Sequence, residues 1–293
     1  MRSGFVALIG RPNVGKSTLV NRVLGRKVSI TSDVYGTTRH RILGVWHAPE
    51  LQVVLVDTPG LQPPRDRLGE RMARTAIRAL SDADLRLHVV EAGRTPGPDE
   101  LAIARRLRGT VLLVVNKADR VDDAKLWIQR YEPLYAYAAA HAVSALNGRG
   151  VEALMADVAA RLPEGPPYFP PDAVTDRPDE FLAGELVREA VHALTRDEIP
   201  HHVAVRVESS SHEGGIWRIG VHIIVDRASQ KPILLGARGE RIKAIGTRAR
   251  LAIEEVFATR VFLSLWVQVR PGWRDRDGTL ESLERDERAT WND

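Results

Sequence analysis

An eight-residue string at residues 10–17, GRPNVGKS, constrains the fold of this chain more than any other feature. It follows a short apolar run, Phe5–Ile9, and opens a helix-patterned stretch, Lys16–Leu24. In that context the pattern GxxxxGK[ST] predicts a phosphate-binding loop, because its glycines let backbone N–H groups point at phosphate oxygens and the helix N-terminus adds positive potential. We expect Lys16 to reach the outer phosphates of a nucleotide and Ser17 to bind Mg²⁺. A chance glycine-rich turn is the alternative, and the flanking strand and helix argue against it.

The first 162 residues alternate between apolar runs and helix-patterned stretches. The apolar runs are predicted to be strands, with the bounds Phe5–Ile9, Arg41–His47, Val53–Asp57, Leu85–Glu91, Val111–Asn116 and His141–Ser144. The stretches between them are predicted to be helices, with the bounds Lys16–Leu24, Arg67–Leu80, Pro98–Leu107, Ala124–Tyr137 and Val151–Leu162. This alternation predicts an α/β domain in which helices cover both faces of a mostly parallel sheet. Ligands of such sheets lie at the carboxyl ends of the strands.

The composition changes after this domain. Six prolines lie between Pro163 and Pro178, so neither a helix nor a central strand can run through that segment. We predict a nucleotide-binding domain over 1–163, a semi-extended linker over 164–179, a second domain over 180–274 and a tail over 275–293. The tail carries seven acidic and three basic residues, and we assign it no firm structure.

Composition and charge narrow the function classes. The 293 residues include no cysteine, which excludes disulfides and thiolate metal sites. No apolar run approaches the roughly 18–20 residues that span a bilayer, so we expect a cytoplasmic protein without a transmembrane segment. The chain carries a formal charge of +4, yet residues 226–274 hold ten Lys and Arg against four Asp and Glu. This region either binds a polyanion or is merely a solvated basic surface.

Three further strings follow predicted strands, and each looks like an element of the GTPase superfamily. They are DTPG at residues 57–60, NKAD at 116–119 and SAL at 144–146. The resemblance implies that Asp57 holds Mg²⁺ through water, that the Gly60 N–H senses the γ-phosphate, and that the Ala145 N–H meets guanine O6. A carboxylate such as that of Asp119 can accept hydrogen bonds from both N1–H and the 2-amino group of guanine, and adenine lacks that pair of donors. The nucleotide-binding residues predicted for GTP and GDP are Gly10, Arg11, Pro12, Asn13, Val14, Gly15, Lys16, Ser17, Thr18, Asp57, Thr58, Pro59, Gly60, Asn116, Lys117, Asp119, Ser144, Ala145 and Leu146.

The threonine pair in TTR, residues 37–39, looks like the first switch of the TrmE–Era–Der group of GTPases. By that resemblance Thr38 is the second side-chain ligand of Mg²⁺ after Ser17, whereas Asp57 holds the ion through water, and Thr37 is the alternative to Thr38. A half-exposed entry to a strand is the structural explanation for the same pair. Order in this loop is expected to depend on the γ-phosphate.

Catalysis needs another source of charge, because Leu61 occupies the place of the glutamine that orients water in Ras-like enzymes. In cation-dependent relatives an asparagine at the position of Asn13 helps to bind K⁺ beside the phosphates. We therefore expect slow intrinsic turnover that K⁺ stimulates, although turn geometry alone also explains an asparagine there. The predicted catalytic residues are Lys16, Thr38, Gly60 and Asn13.

In the second domain we predict an α+β order: helix Phe181–Thr195, strands Val203–Ser209 and Trp217–Val225, a short turn, helix Glu240–Phe257 and strand Val261–Val269. The string GARG at residues 236–239 precedes the long helix and looks like the GxxG loop of a KH domain. Such a loop lets a nucleic-acid backbone approach closely, beside a groove that reads about four single-stranded nucleotides. An ordinary turn is the alternative for two glycines at this spacing. The predicted RNA-binding residues are Gly236, Ala237, Arg238, Gly239, Arg241, Ile242, Lys243, Ile245 and Arg248.

Taken together, these motifs cover almost the whole chain and resemble the Era family of bacterial GTPases, which the final segment LWVQVRPGW also matches. Its relatives Der and TrmE lack a KH domain with a GxxG loop. The resemblance implies a monomeric GTPase that binds the 3′ end of 16S rRNA and helps to mature the small ribosomal subunit (30S). It also implies possible peripheral contact with the inner face of the membrane.

Two other functions stay open at this stage. One is an RNA-binding assembly protein whose GTP site is mainly structural, which Leu61 favours. The other is a P-loop ATPase or small-molecule kinase, which NKAD disfavours. Competition between nucleotides and RNA-stimulated turnover distinguish the three.

Overall fold

The computed structural model describes residues 1–61, 63, 64, 66–278, 280 and 281. The chain divides into two compact units. The first contains the described residues of Met1–Ser29, Gly36–Pro64 and Gly69–Asp176, and the second those of Ile30–Tyr35, Arg65–Leu68 and Arg177–Asp293. Two short stretches from the first part of the sequence thus belong to the second unit.

The first unit is built on a six-stranded sheet with the order β2-β3-β1-β4-β5-β6. Its strands are β1 (Arg2–Ile9), β2 (Ile42–Ala48), β3 (Leu51–Asp57), β4 (Leu85–Glu91), β5 (Val111–Asn116) and β6 (Ala139–Ala142). All neighbours are parallel except β2, which pairs antiparallel with β3. The helices are α1 (Lys16–Leu24), α2 (Arg67–Asp82), α3 (Pro98–Ala104), α4 (Ala124–Tyr131) and α5 (Val151–Arg161). The predicted α/β class is confirmed.

The central strands are buried along their whole length, as expected for parallel strands with helices on both faces. Every residue of β3 and β5 is buried. Several predicted elements had wrong bounds, among them β1, which begins at Arg2, and α3, which ends at Ala104. The last strand is Ala139–Ala142 rather than His141–Ser144, and the helix from Ala124 ends at Tyr131. A 3₁₀ turn over Glu132–Leu134 follows that helix, because Pro133 cannot continue the α-helical hydrogen bonding.

The proline-rich segment is attached to the first unit as far as Asp176. Gln52 holds it through one side-chain oxygen, which accepts hydrogen bonds from the backbone N–H groups of Tyr168 at 2.7 Å and Phe169 at 3.0 Å. Further along, Thr175 forms a β-bridge with Gly44. Backbone groups of this segment that no helix or strand satisfies are therefore paired with residues of β2 and β3.

The second unit packs helices on a three-stranded sheet with the order β7-β8-β9. Its elements are α6 (Asp179–Leu194), β7 (Val203–Glu213), β8 (Ile216–Val225), α7 (Gln230–Leu235), α8 (Glu240–Phe257) and β9 (Arg260–Val269). Strands β7 and β8 are antiparallel, and β8 and β9 are parallel. The core joins the inner residues of all three strands to α6 and α8. The predicted α+β class is confirmed.

The first strand of this unit extends beyond its predicted end at Ser209 to Glu213, and the predicted short turn before the long helix contains helix α7. The side-chain oxygen of Gln230 accepts hydrogen bonds from the N–H groups of Asp226 and Arg227, which fixes the entry to this helix. Six residues are too few to show a helical repeat in the sequence. The tail prediction over 275–293 lies mostly outside the described residues. Just before the tail, Trp273 is buried and its indole N–H donates to the His202 carbonyl oxygen at 3.0 Å.

None of the helices in the described part of the chain combines the length and apolar composition needed to cross a membrane.

Candidate functional site

The glycine-rich string forms a loop between β1 and α1, at the point where β1 lies between β3 and β4. Such a switch in strand order creates a crevice at the carboxyl ends of the strands. Gly15 begins the helix with left-handed backbone angles (φ 95°), and a Cβ there would lie 2.2 Å from the Asn116 side-chain nitrogen. Asn13 is also left-handed (φ 63°) and exposed. The open conformation of this loop therefore depends on residue types, at Gly15 and Asn13, that tolerate left-handed backbone angles.

Lys16 lies inside this loop and is buried. Its Nζ donates to the carbonyl oxygens of Gly10 at 3.2 Å and Arg11 at 2.9 Å. Burial lowers the pKa of Lys16 to about 8, although the charges of Asp57 and Glu100 act in the opposite direction. An anionic phosphate in this loop would restore the charged form.

The three predicted metal ligands converge although they come from three segments of the chain. Ser17 Oγ lies 3.0 Å from Thr38 Oγ1 and donates to Asp57 Oδ2 at 2.7 Å. Asp57 is fully buried, and no donor among the described residues reaches its Oδ1. Burial raises the pKa of this carboxyl, whereas the hydrogen bond from Ser17 and the charge of Lys16 act in the opposite direction. Two hydroxyl oxygens and a carboxylate fit Mg²⁺, which prefers hard oxygen ligands.

The DTPG string runs from the end of β3 toward the phosphate loop. Thr58 Oγ1 donates to the Leu8 carbonyl oxygen at 2.6 Å, which ties the string to β1. A Cβ on Gly60 would lie only 2.6 Å from the Pro12 nitrogen, so glycine is required for this close approach. The next residue, Leu61, is 4% exposed and packs in a core cluster with Ile9. The side chain in the glutamine position therefore points into the core.

Asn116 joins the other two nucleotide strings to the phosphate loop. Its Nδ2 donates to the Val14 carbonyl oxygen at 2.8 Å, and its Oδ1 accepts from the Ala145 N–H at 2.9 Å. The Ala145 amide, predicted to meet guanine O6, is thus paired with Asn116 in this structure. Lys117 is left-handed (φ 61°) and donates to Glu91 at 2.7 Å.

Asp119, which is predicted to recognise the guanine base, is exposed beside the hydrogen-bonded residues Asn116 and Lys117. A hydrogen bond from the Ser144 hydroxyl lowers the pKa of Asp119, so its carboxylate is ionised at neutral pH. Leu146 is 68% exposed, and Thr18 lies half-buried in the first turn of α1. An exposed anion beside a rigid loop can pair with two adjacent N–H donors of a base.

Sequence reasoning missed a buried polar cluster behind the phosphate loop. Glu100 of α3 is fully buried, and its carboxylate lies 2.6 Å from Arg11 Nε and 3.4 Å from His88 Nε2. His88 Nδ1 lies 2.7 Å from the Tyr137 hydroxyl. The ion pair between Glu100 and Arg11 holds the Arg11 side chain in place and so positions the phosphate loop. The single hint in the sequence was Glu100 on a short helix beside apolar positions that face the core.

The second unit presents the GARG string as an exposed loop before α8. Gly236 has φ 72° and ψ 178°, and a Cβ there would lie 2.8 Å from Arg241 Cβ. Arg238 is left-handed (φ 50°), and both it and Ala237 are exposed. Gly239 (φ 81°) begins the helix. The backbone of this loop is accessible to a phosphate group.

Basic side chains follow this loop along α8. Arg241, Lys243 and Arg248 are exposed, and Arg241 also donates to the Ile233 carbonyl oxygen at 2.5 Å. Ile242 is half-buried, as a groove wall requires. The prediction that Ile245 contacts RNA is wrong, since its side chain is fully buried in the core between α8 and the sheet. Ile242 lies one helical turn before Ile245 on the same side of α8 and packs against that core only in part.

Comparison with known proteins separates the chain into the same two parts, a nucleotide-binding part and an RNA-binding part. Residues 5–117 match the family model described as 50S ribosome-binding GTPase, and residues 198–274 match that of the KH domain. The chain is 45% identical to GTPase Era of Lacticaseibacillus paracasei, with 96% of each chain covered. It is 44% identical to GTPase Era of Geobacter metallireducens, with 96% of this chain and 97% of the other covered.

Two solved structures match with a TM-score of 0.92 and 39% identity, over 96% of this chain and 98% of theirs. One is a variant of Aquifex aeolicus Era bound to GDP and AlF₄⁻. The other is Era in complex with MgGDPNP and nucleotides 1506–1542 of 16S ribosomal RNA.

Proposed function

The chain belongs to the Era family of GTPases, and we propose that its GTP-bound state binds the 3′ end of 16S rRNA through the KH domain. We assign GTP hydrolysis to residues 1–163 and RNA binding to residues 180–274. The relative in complex with RNA holds nucleotides 1506–1542, which are 37 nucleotides, and we propose the corresponding segment as the RNA of this chain. Its role would be to assist maturation of the small ribosomal subunit.

Ser17, Thr38 and Asp57 would hold Mg²⁺, which neutralises charge on the phosphates when it is bound. Phosphoryl transfer needs positioning and charge stabilisation more than covalent chemistry. Lys16 supplies a positive charge at the outer phosphates, and the Gly60 N–H lies on a backbone pressed against Pro12. The 3.0 Å contact between Ser17 Oγ and Thr38 Oγ1 supports Thr38 over Thr37 as the ligand in the first switch.

We further propose that K⁺ supplies positive charge at the phosphates and so compensates for Leu61, which cannot orient the attacking water. Leu61 is buried in the core and has no polar atom with which to orient water. Asn13 is exposed in the phosphate loop with an amide oxygen suited to a monovalent cation. GTPase rates in matched KCl and NaCl buffers test this step, and equal rates would contradict it.

The observation that carries the proposed gating is the burial of Ile30. This residue precedes the first switch in sequence, is 2% exposed, and packs in the hydrophobic core of the second unit. The next residue, Thr31, donates its N–H to Glu189 of α6 at 2.9 Å. A conformational change in the first switch, which follows Ile30 and Thr31 in the chain, would therefore act on residues that are held in the RNA-binding unit.

A second anchor follows the DTPG string. The carboxylate of Asp66 lies 2.6 Å from Arg274 Nε, within the second unit. Arg67 begins α2 and pairs with Asp277. Both segments expected to respond to the γ-phosphate are thus continuous in the chain with residues of the RNA-binding unit, which supports a switch that reports nucleotide state to the KH domain.

We place the protein in the cytoplasm as a monomer that meets the 30S subunit, with any membrane contact being peripheral. The test is binding of a single-stranded oligonucleotide with the 16S rRNA 3′-end sequence, in GDP and in a non-hydrolysable GTP analogue. Tighter binding with the analogue is expected, and Gly239→Asp should abolish it by placing a negative side chain in the loop. Equal binding in both states would remove the switch and leave an RNA-binding GTPase.

An RNA-binding assembly protein with a mainly structural GTP site is the second candidate function. The burial of Leu61 in the core favours it, since this apolar side chain cannot orient water. Turnover measured with and without the oligonucleotide separates the two. Stimulation by RNA supports the GTPase switch, whereas slow turnover under both conditions supports the structural site.

A further inference from the structure

One face of the sheet in the second unit carries the helices, and the other carries exposed aromatic side chains. The inner residues of β9, such as Leu263 and Leu265, pack toward the helices. Because side chains alternate along a strand, Phe262 and Trp266 lie on the opposite face. They are 55% and 51% exposed, respectively. Exposed aromatic side chains of this size on a regular strand call for a ligand.

The neighbouring strand shapes this face around the two rings. His222 of β8 packs edge-on against Trp266, with ring centroids 5.7 Å apart, and Arg218 Cζ lies 5.2 Å from the centre of the Phe262 ring. A Cβ on Gly220 would lie 3.1 Å from Trp266 Cζ3, so the missing side chain gives the indole its place on the sheet. We call these five residues, Phe262, Trp266, His222, Arg218 and Gly220, the outer patch.

The geometry points to RNA as the occupant, and we propose that the outer patch stacks unpaired bases of the same RNA that the GxxG groove binds. This inference rests on the proposed RNA-binding function. Aromatic side chains on open sheets stack bases in several RNA-binding folds, and the stacking tolerates any base sequence. Phe262 and Trp266 are four residues apart on one strand, or about 13 Å, which makes two separate platforms. Between them lies Ser264, so the face is not the continuous apolar groove that a protein helix needs.

Charge around the outer patch also suits a polyanion. Arg218 is exposed within it, and Arg260 is exposed at the start of β9. Glu213 lies 3.2 Å from Arg218, and Glu208 lies 3.1 Å from His222. Both contacts join side chains that are at least partly exposed, so they contribute little and the carboxylate can be exchanged for a phosphate.

The outer patch is continuous with the proposed groove through β9. This strand is at the edge of the sheet, and its inner side meets α8, where a Cβ on Gly246 would lie 3.4 Å from Leu265 Cδ1. A groove of the KH type holds about four nucleotides, far fewer than the 37 of the proposed RNA segment. A strand that leaves the groove over the edge of β9 reaches Trp266 directly.

The experiment measures affinity for two RNAs, a groove-length oligonucleotide and the 37-nucleotide segment, in the GTP-analogue state. The variants are Phe262→Ala, Trp266→Ala and their combination, with Leu251→Ala as the control because Leu251 is a 53% exposed hydrophobic side chain on α8. Each stacking variant should weaken binding of the long RNA about 5- to 100-fold and leave the short RNA unchanged. Trp266→Phe should restore most of the affinity, and ultraviolet crosslinks to the long RNA should map to Trp266. Unchanged GTPase activity and Tm show that the variants fold.

Several results would overturn the proposal. Unchanged affinity of the double variant for the long RNA, while Gly236→Ala weakens both RNAs, would reject the outer patch and leave the proposed function intact. Loss of binding to the 30S subunit without loss of RNA affinity would make the patch a protein-docking surface. If the unmodified protein bound neither RNA, the proposed function itself would fail.

Discussion

The nucleotide site and the RNA site of this chain are built in opposite ways. In the first unit the centre of the site is buried and its residues hold one another: Ser17 donates to Asp57, and Asn116 joins Val14 to Ala145. The base reader Asp119, at the rim, is exposed. In the second unit the GxxG loop is exposed, and its shape comes from the backbone angles of Gly236, Arg238 and Gly239. One site is fixed by side-chain contacts, and the other by backbone conformation.

This difference explains how each site can fail. A buried site fails through chemistry, because removal of one partner leaves a polar group unpaired in a low dielectric. An exposed loop fails through geometry, because its ligand contacts backbone that any added side chain displaces. Substitutions that keep shape and change charge should therefore hurt the first unit most, and those that keep charge and change shape should hurt the second.

The largest effect is expected from Asp119→Asn. The exposed carboxylate of Asp119 can accept two hydrogen bonds from guanine, whereas an asparagine presents one acceptor and one donor. The variant loses one hydrogen bond and the charge that strengthens the other, and its NH₂ group faces the guanine 2-amino group, which together correspond to a loss of GTP affinity on the order of 10³-fold. Xanthine, which has a carbonyl oxygen in place of the 2-amino group, should be preferred instead. Competition between GTP and XTP measures the ratio.

The control for this variant is Asp122→Asn, since Asp122 is also an exposed aspartate, three residues further along. It should leave the base preference unchanged. An Asp119→Asn protein that still prefers GTP would show that the assignment of the base reader is incorrect. RNA binding by the KH domain with saturating XTP should match that of the unmodified protein with GTP.

The second prediction concerns Asp57→Asn, which keeps the shape of a fully buried side chain and removes its charge. We expect GTP turnover to fall by about 100-fold, as for other residues that orient water on a metal ion. Titration of Mg²⁺ at fixed GTP measures the loss. Asp82→Asn, at an exposed position, is the matched control. Normal turnover at ordinary Mg²⁺ concentration would contradict the metal site.

The third prediction concerns a substitution that changes the shape of a residue and keeps its charge, the reverse of the second. Gly236→Ala keeps the charge of the RNA loop, but its Cβ would lie 2.8 Å from Arg241 Cβ and its backbone is left-handed (φ 72°). We expect RNA affinity to fall by about 10- to 30-fold, with GTP turnover in the absence of RNA unchanged. Fluorescence anisotropy with the 3′-end oligonucleotide measures it.

Gly278→Ala is the control for this change, because no described atom lies within 4 Å of a Cβ at that position. Full RNA affinity of the Gly236→Ala protein would show that the loop does not need glycine at this position, and the contrast between the two sites would then disappear.

The same contrast governs how much the sequence could predict. The nucleotide strings predicted the convergence of Ser17 and Asp57, because strands of a parallel sheet end at one edge and both strings follow such a strand. Thr38 precedes the antiparallel strand β2 and was predicted from the resemblance to the first switch alone. The bounds of α1, β4, β5 and α8 were predicted correctly from apolar periodicity and from glycines at their ends.

The rest depended on contacts between distant residues, which no local pattern reveals. Glu100 lies 89 residues from its partner Arg11, and Gln52 binds Tyr168 across 116 residues. Ile30 reads as part of a loop, yet it lies in the core of the second unit. Helix α7 was missed because it spans six residues, and Ile245 was misassigned because spacing alone gave both core and groove as its environment.

The smallest predicted effect separates the two sites by pH. Without phosphates, burial lowers the pKa of Lys16 to about 8, so the folded protein loses this proton as the pH rises from 7 to 9. Phosphates favour the charged form, so binding above pH 8 must take up a proton and weakens as the pH rises. At pH 9 the affinity for GTP should be about tenfold below its value at low pH, since one pH unit beyond a pKa corresponds to a factor of ten.

Binding of GMP, which lacks the outer phosphates, controls for titration of the base. Oligonucleotide affinity should not change over this range, because the arginines of the second unit stay charged. A flat pH profile for GTP would mean that Lys16 does not meet the outer phosphates, whereas a matching loss of RNA affinity would mean that the two sites share the titrating group.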